Sequence, residues 1–158
     1  MKKLIALLSA ILLISLVGYS QDIPADKVPA PVKKAFEKQF PGATDVKYEM
    51  EKRNYEISFK DKEVQMSATY NTYGRWTETE TKIAESDLPK KVMKSVTKNF
   101  KDYTMSDIAK METPTVKLCY EIVLKNDKLG YEVQFNPKGD VLRKMPLKKE
   151  KAKVSEGQ

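Results

Sequence analysis

Hydrophobic side chains recur every four residues in two short segments of the chain. This spacing is typical of an amphipathic helix that buries one face. The two stripes are Val28, Val32, Phe36 and Phe40, and then Leu88, Val92, Val96 and Phe100. Both predicted helices are about three turns long, which is too short to be stable alone in water, so each must pack against another element.

Most of the remaining chain alternates apolar with polar residues, which predicts β-strands with one buried face. The alternating segments are 45–50, 54–59, 63–70 and 75–80 in the first half, and 120–124, 129–135 and 141–142 in the second. Another strand is predicted within 105–111, where the register stays open. Short polar turns separate successive strands, and such turns require antiparallel pairing.

The predicted elements occur twice in the same order. Helix residues return at an offset of 60, as Phe40 does at Phe100, and strand residues return at an offset of 65, as Tyr55 does at Tyr120. The change between the offsets predicts a five-residue insertion in the linking segment of the second copy. A duplication of this size predicts two similar units that share a core or join edge to edge.

The fold class predicted from these patterns is α+β. Two tandem helix-plus-antiparallel-meander repeats, over 21–82 and 83–147, are expected to form one broad antiparallel sheet with the helices packed on one face.

The two ends of the chain differ from the repeats in composition. A short positive region, an apolar run over 4–17 and small residues at Gly18 and Ser20 predict a secretory signal peptide, 1–20, that is cleaved. A membrane anchor is the alternative, but the run is short for a span of ~20 residues. We therefore expect an exported, periplasmic or extracellular chain with no stable membrane insertion after leader removal. The charged segment 148–158 is predicted to be a disordered tail.

The net charge and the reactive side chains limit the classes of function that the chain can have. The 158-residue chain carries a net charge of +7, and its lysines are interleaved with glutamates, which favours a solvated exterior and no nucleic-acid partner. There is no histidine, and Cys119 is the only cysteine, so no nucleophile–base pair or zinc site is available. Glu78 and Glu80 alternate with threonines, which indicates a wet strand face. We predict no enzyme activity, no catalytic or metal-binding residue and no cofactor.

The core and turn residues resemble the PepSY-like family of exported bacterial proteins, also labelled beta-lactamase-inhibitor-like. The residues that carry the resemblance are Val28, Pro29, Val32, Phe36, Phe40, Pro41, Gly42, Ala43, Val46, Tyr48, Glu49, Tyr55, Glu56, Ile57, Phe59 and Gly74. The resemblance covers both copies, over roughly 25–145. It implies two helix-plus-meander units joined into one sheet. It also implies binding to a protein, with inhibition of an exported enzyme as one form, and carries over no catalytic motif.

Strand parity predicts which residues share the sheet face turned away from the helices. They are Asn54, Glu56, Ser58, Gln65, Ser67 and Thr69 in the first copy, and Cys119, Glu121, Val123, Gly130, Glu132 and Gln134 in the second. Joined, they form a face wide enough for a protein interface of ~800 Å² per partner. We expect an otherwise monomeric chain to bind an exported protein or peptide there. The alternatives are a merely solvated face, or an anionic polymer or surface bound through the lysines.

Overall fold

A computed structural model describes residues 21–51 and 53–147, and the predicted leader and tail lie outside these residues. Within them, nine antiparallel strands form one sheet in which each strand pairs with its neighbours in the chain. The strands are β1 (Gln21–Asp22), β2 (Thr44–Glu51), β3 (Asn54–Asp61), β4 (Val64–Asn71), β5 (Trp76–Lys82), β6 (Thr104–Glu112), β7 (Cys119–Lys125), β8 (Gly130–Phe135) and β9 (Val141–Pro146). The helices are α1 (Ala30–Gln39) and α2 (Lys90–Asn99). The predicted α+β fold with a tandem helix-plus-meander unit is confirmed.

Each helix packs on its own four-stranded meander and encloses its own core. The buried members of the first core are Val28, Val32, Phe36, Ile57, Phe59, Ala68 and Tyr70. Those of the second are Leu88, Val92, Val96, Phe100, Ile108, Tyr120, Ile122, Leu124, Val133 and Phe135. Pairing of β5 with β6 joins the two meanders, so the sheet is continuous although the cores are separate.

The predicted insertion lies between β6 and β7. The offset of 60 persists through β6, because Met50 pairs with Tyr55 and Lys110 pairs with Tyr120. Two residues separate the paired Glu51 and Asn54, whereas seven separate Met111 and Cys119. The linking segment of the second copy is therefore longer by five residues, as the sequence predicts.

A β-bulge explains why the register of β6 cannot be assigned from the sequence alone. Asp107 has a φ of 44°, and the pairing shifts between Ser106 and Ile108. Met105 and Ile108, three positions apart, therefore both pack against the core beneath α2. The extra residue breaks the two-residue period on which strand prediction depends.

Candidate functional site

The surface of the sheet opposite the helices, here called the far face, carries the residues that strand parity predicts for it. Glu56 pairs with Thr69 across β3 and β4, and Thr69 pairs with Glu78 across β4 and β5. In the second repeat, beyond the pairing of β5 with β6, Ala109 pairs with Glu121, which pairs in turn with Gln134. Both repeats therefore contribute to one face.

Two adjoining hollows lie in the far face. The larger, here called the acidic hollow, has a volume of about 680 Å³ and is lined by Asn54, Glu56, Thr69, Thr77, Glu78, Glu80, Glu121, Glu132, Gln134, Arg143, Met145 and Pro146. The smaller, about 200 Å³, is lined by residues that include Ser58, Gln65, Ser67, Glu80, Glu121 and Val123. Since side chains from β3, β4, β5, β7, β8 and β9 line one hollow, the far face is concave.

Of the twelve residues predicted for the binding face, Gly130 has no side chain, and ten of the other eleven line one of these hollows. The exception is Cys119, which lies on the far face but is only 1% exposed. Its Sγ lies 3.7 Å from the carbonyl oxygen of Met111. Burial, together with the nearby Glu121, Glu78 and Glu80, raises the pKa of the Cys119 thiol to about 11. Cys119 therefore belongs to the far face by its position in β7 but is not open to a partner, because its neighbours bury it.

Glu80 lies where the two hollows meet and has an unusual protonation state. Burial, together with the carboxylates of Glu121, Glu78, Glu56 and Glu132, raises its pKa to about 8. Like charges that share a poorly hydrated site resist simultaneous ionisation. The carboxyl group of Glu80 is therefore protonated through most of the neutral pH range.

Burial and neighbouring side chains also act on the other glutamates that line the acidic hollow. Burial also raises the pKa of Glu78, as do Glu121 and Glu56, while Arg143 acts in the opposite direction. Gln134 donates a hydrogen bond of 2.9 Å from its Nε2 atom to Oε2 of Glu121. The hollow is thus a polar site of concentrated negative charge, moderated by one arginine and one bound proton.

Replacement of Glu80 by Gln is expected to flatten the pH dependence of stability. The folded chain keeps the Glu80 proton to about pH 8, whereas the unfolded chain releases it near 4.5. Because the folded state binds more protons over this interval, the free energy of unfolding falls as pH rises through it, by up to about 5 kcal/mol from this group. Urea unfolding at several pH values measures the slope for the parent and Glu80→Gln.

The exposed Glu85, which lies on the helix side of the chain, supplies the control. The Glu85→Gln variant should keep the slope of the parent. A Glu80→Gln variant that loses stability with pH as steeply as the parent would show that Glu80 is already ionised in the folded state near neutral pH.

The sequence places Glu78 and Glu80 on a wet strand face. Both do lie on the face away from the helices, but they are half-buried among the other side chains of the acidic hollow. The register between β4 and β5 shifts after Thr69, so that Tyr70 pairs with Trp76. This shift hides from the sequence that Glu78 and Glu80 align with the polar residues of β4. The sequence signal for their place in the site is the two-residue spacing of Glu78 and Glu80 on β5, the strand that joins the repeats. Arg143 and Met145 were missed because β9 was predicted only over 141–142.

The described residues show no site for metal or for a membrane span. Within 21–51 and 53–147, no group of three or more acidic or cysteine side chains is placed to hold a metal ion. Neither α1 nor α2 has the length and apolar character needed to cross a bilayer. Chemically, the far face offers shape, charge and hydrogen bonding, and these are properties of a binding surface.

Comparisons with known proteins agree with this architecture. A family model described as "Putative beta-lactamase-inhibitor-like, PepSY-like" matches the chain twice, over residues 18–71 and 65–143. A solved structure of a BLIP-like protein from Bacteroides fragilis is 17% identical, covers 82% of this chain and 92% of its own, and has a TM-score of 0.66. No curated protein matches the chain.

Two further solved structures have the same fold. A DUF2874 family protein from Bacteroides ovatus is 20% identical, with 80% and 89% of the two chains covered and a TM-score of 0.66. One of the "putative periplasmic proteins" from Bacteroides eggerthii is 20% identical, with 75% and 88% covered and a TM-score of 0.67. Because the two matches of the family model together span most of the sequence, this chain belongs to the PepSY-like, beta-lactamase-inhibitor-like family.

Proposed function

We propose that this chain is a non-catalytic binding module of the cell envelope whose far face holds an exported protein or peptide. The observation that carries the proposal is the acidic hollow, which strands of both repeats build together. Inhibition or modulation of an exported enzyme is the specific form that the family description suggests. The description of a structural neighbour as periplasmic, together with the predicted leader, supports a location outside the cytoplasm.

The concavity and charge of the far face define the partner that would fit. Glu56, Glu121 and Glu132 come from different strands and line the same hollow, in which Arg143 is the one cationic lining residue. Complementary charge gives an interface its specificity and its association rate. The fitting segment of a partner is therefore convex and presents lysine or arginine side chains.

Affinity capture from an envelope fraction, with tagged residues 21–158 as bait, would identify the partner. The affinity of the captured protein is then measured for the parent and for a Glu56→Lys/Glu121→Lys variant. The two glutamates occupy equivalent positions in the repeats, and their reversal places positive charge on both sides of the hollow. We expect binding to weaken by about tenfold or more.

A Glu37→Lys/Glu85→Lys variant makes the same change in net charge at exposed positions on the helix side and should bind as the parent does. Circular dichroism confirms that each variant is folded, and Glu56→Gln/Glu121→Gln replaces the reversal if it unfolds. Unchanged affinity in the folded far-face variants would move the site to the helices, to the loop tip around Tyr73 or to the basic tail.

A further inference from the structure

A second charged surface lies on the helix side of the molecule, in the second repeat. An exposed groove runs between α2 and the turn that joins β8 to β9. Its lining includes Lys91, Lys94, Lys98, Lys138, Asp140 and Val141, and all four lysines are exposed. This surface, here called the lysine groove, faces away from the acidic hollow because α2 and the far face lie on opposite sides of the sheet.

Two elements bring the four lysines together. The spacing of Lys91, Lys94 and Lys98 places their side chains along one face of α2. The turn over 136–139 then approaches the start of this helix so closely that a Cβ atom on Gly139 would lie 2.4 Å from the carbonyl oxygen of Lys91. This approach positions Lys138 beside the helical lysines.

The first repeat reproduces the groove only in part, because Lys34 and Lys38 stand where Lys94 and Lys98 do. The position of Lys91 is taken by Pro31, and that of Lys138 by Tyr73, although the same turn packs against the same part of α1. In the second repeat, the acidic Asp140 of the lining accepts a hydrogen bond of 2.9 Å from Asn136. The set of four lysines is therefore particular to the second repeat, whereas the first repeat carries Lys34, Lys38 and Arg75 in the equivalent region.

An exposed aliphatic side chain borders the lysines, and a second one follows it in the chain. Val141 lines the groove and is 44% exposed, and the next residue of the edge strand β9, Leu142, is 49% exposed. A soluble polyanion would be bound through the lysines alone. Lysines beside exposed aliphatic groups are typical of surfaces that lie on a bilayer, where phosphates meet the cations and apolar groups enter the interface.

We propose that the lysine groove, with Val141 and Leu142, docks the protein on a membrane surface that carries anionic phospholipid headgroups. The lysines contact the lipid phosphates, and the two aliphatic side chains enter the interfacial zone. Docking through this side leaves the far face turned away from the bilayer. The inference stands apart from the proposed far-face partner, because the two surfaces share no residue.

Flotation of residues 21–158 with vesicles tests the proposal. Vesicles of phosphatidylglycerol mixed with phosphatidylcholine are expected to bind the parent, and vesicles of phosphatidylcholine alone are not. A Lys91→Gln/Lys94→Gln/Lys138→Gln variant should lose about 100-fold in affinity, since each lysine near an anionic surface contributes about 1 kcal/mol. The charge-matched control replaces Lys62, Lys125 and Lys128 by Gln, at hairpin tips at the other ends of the strands.

If the two lysine variants lose equal affinity for the anionic vesicles, the effect is one of net charge and the proposal is overturned. Undiminished binding by the groove variant would also overturn it. A Val141→Ser/Leu142→Ser variant separates lipid from soluble polyanion. It should bind the anionic vesicles more weakly and inorganic polyphosphate as the parent does. If it binds both as the parent does, the groove recognises phosphate groups in solution and the membrane assignment is wrong.

Discussion

Replacement of Phe100 by Ala is expected to lower the free energy of unfolding by about 3–5 kcal/mol. Phe100 ends α2, is 7% exposed and belongs to the second core. Its ring makes edge contacts with Tyr103, at a centroid distance of 5.7 Å, and with Phe135, at 6.3 Å. Truncation would leave a cavity between the helix and the sheet, and urea unfolding measures the loss.

The equivalent residue of the first repeat provides an internal comparison. The duplication by itself predicts equal losses for Phe40→Ala and Phe100→Ala. Phe40 contacts Phe59 at a centroid distance of 4.6 Å, but its side chain is only partly buried. We therefore expect Phe40→Ala to cost less, about 2–3 kcal/mol, because less apolar area is removed from water.

Tyr73→Ala is the control for this pair, because Tyr73 is 85% exposed and its truncation should change stability by less than about 0.5 kcal/mol. A loss below about 1 kcal/mol for Phe100→Ala would mean that α2 does not pack on the sheet as described.

The fold was predictable from the sequence because two independent signals agree. The helix stripes and the strand alternation each depend on burial of one face, and the duplication repeats both in the same order. Val32 and Val92, members of the two stripes, are fully buried, as are Ile57 and Ile122, which alternation places beneath the helices. Consistency between local pattern and global repeat left few alternatives.

The membership of the far face was also predictable, but its shape was not. A period of two assigns each strand residue to a face and carries no information on how the sheet curves. Strand twist accumulates across a wide sheet, and here it brings Glu56 of β3 and Arg143 of β9 into one hollow. The partial burial of Glu80, which lines both hollows, follows from that curvature.

The β-bulges made the prediction of strand faces least accurate where β5 and β6 join the two repeats. The extra residue at Asp107 reverses parity within β6, so the sequence could not assign Met111 to the far face, where it pairs with Glu80. Aspartate tolerates a positive φ better than most residues, but it is also common on strand surfaces and at turns. A single aspartate in a polar segment is therefore a weak signal of a bulge.

The turns that approach the helices give the last prediction. Gly74 and Gly139 close equivalent turns with φ angles of 76° and 88°. In each turn, the side chain of an asparagine, Asn71 or Asn136, accepts two backbone N–H bonds and fixes the loop. A Cβ atom at either glycine would lie 2.4 Å from a carbonyl oxygen in the first turn of the facing helix. Glycine is required there both for its backbone angle and for the absence of a side chain.

We expect Gly74→Ala and Gly139→Ala each to lower the free energy of unfolding by about 2–5 kcal/mol, because left-handed strain and steric overlap add together. Gly42→Ala is the matched control. A Cβ atom on Gly42 would make only an ordinary contact, 3.6 Å from Asp61 Oδ1, so this variant should lose less than about 1 kcal/mol. Urea unfolding of the three variants compares them directly. If Gly139→Ala were as stable as Gly42→Ala, the turn would not rest on α2, and Lys138 would no longer belong beside the helical lysines.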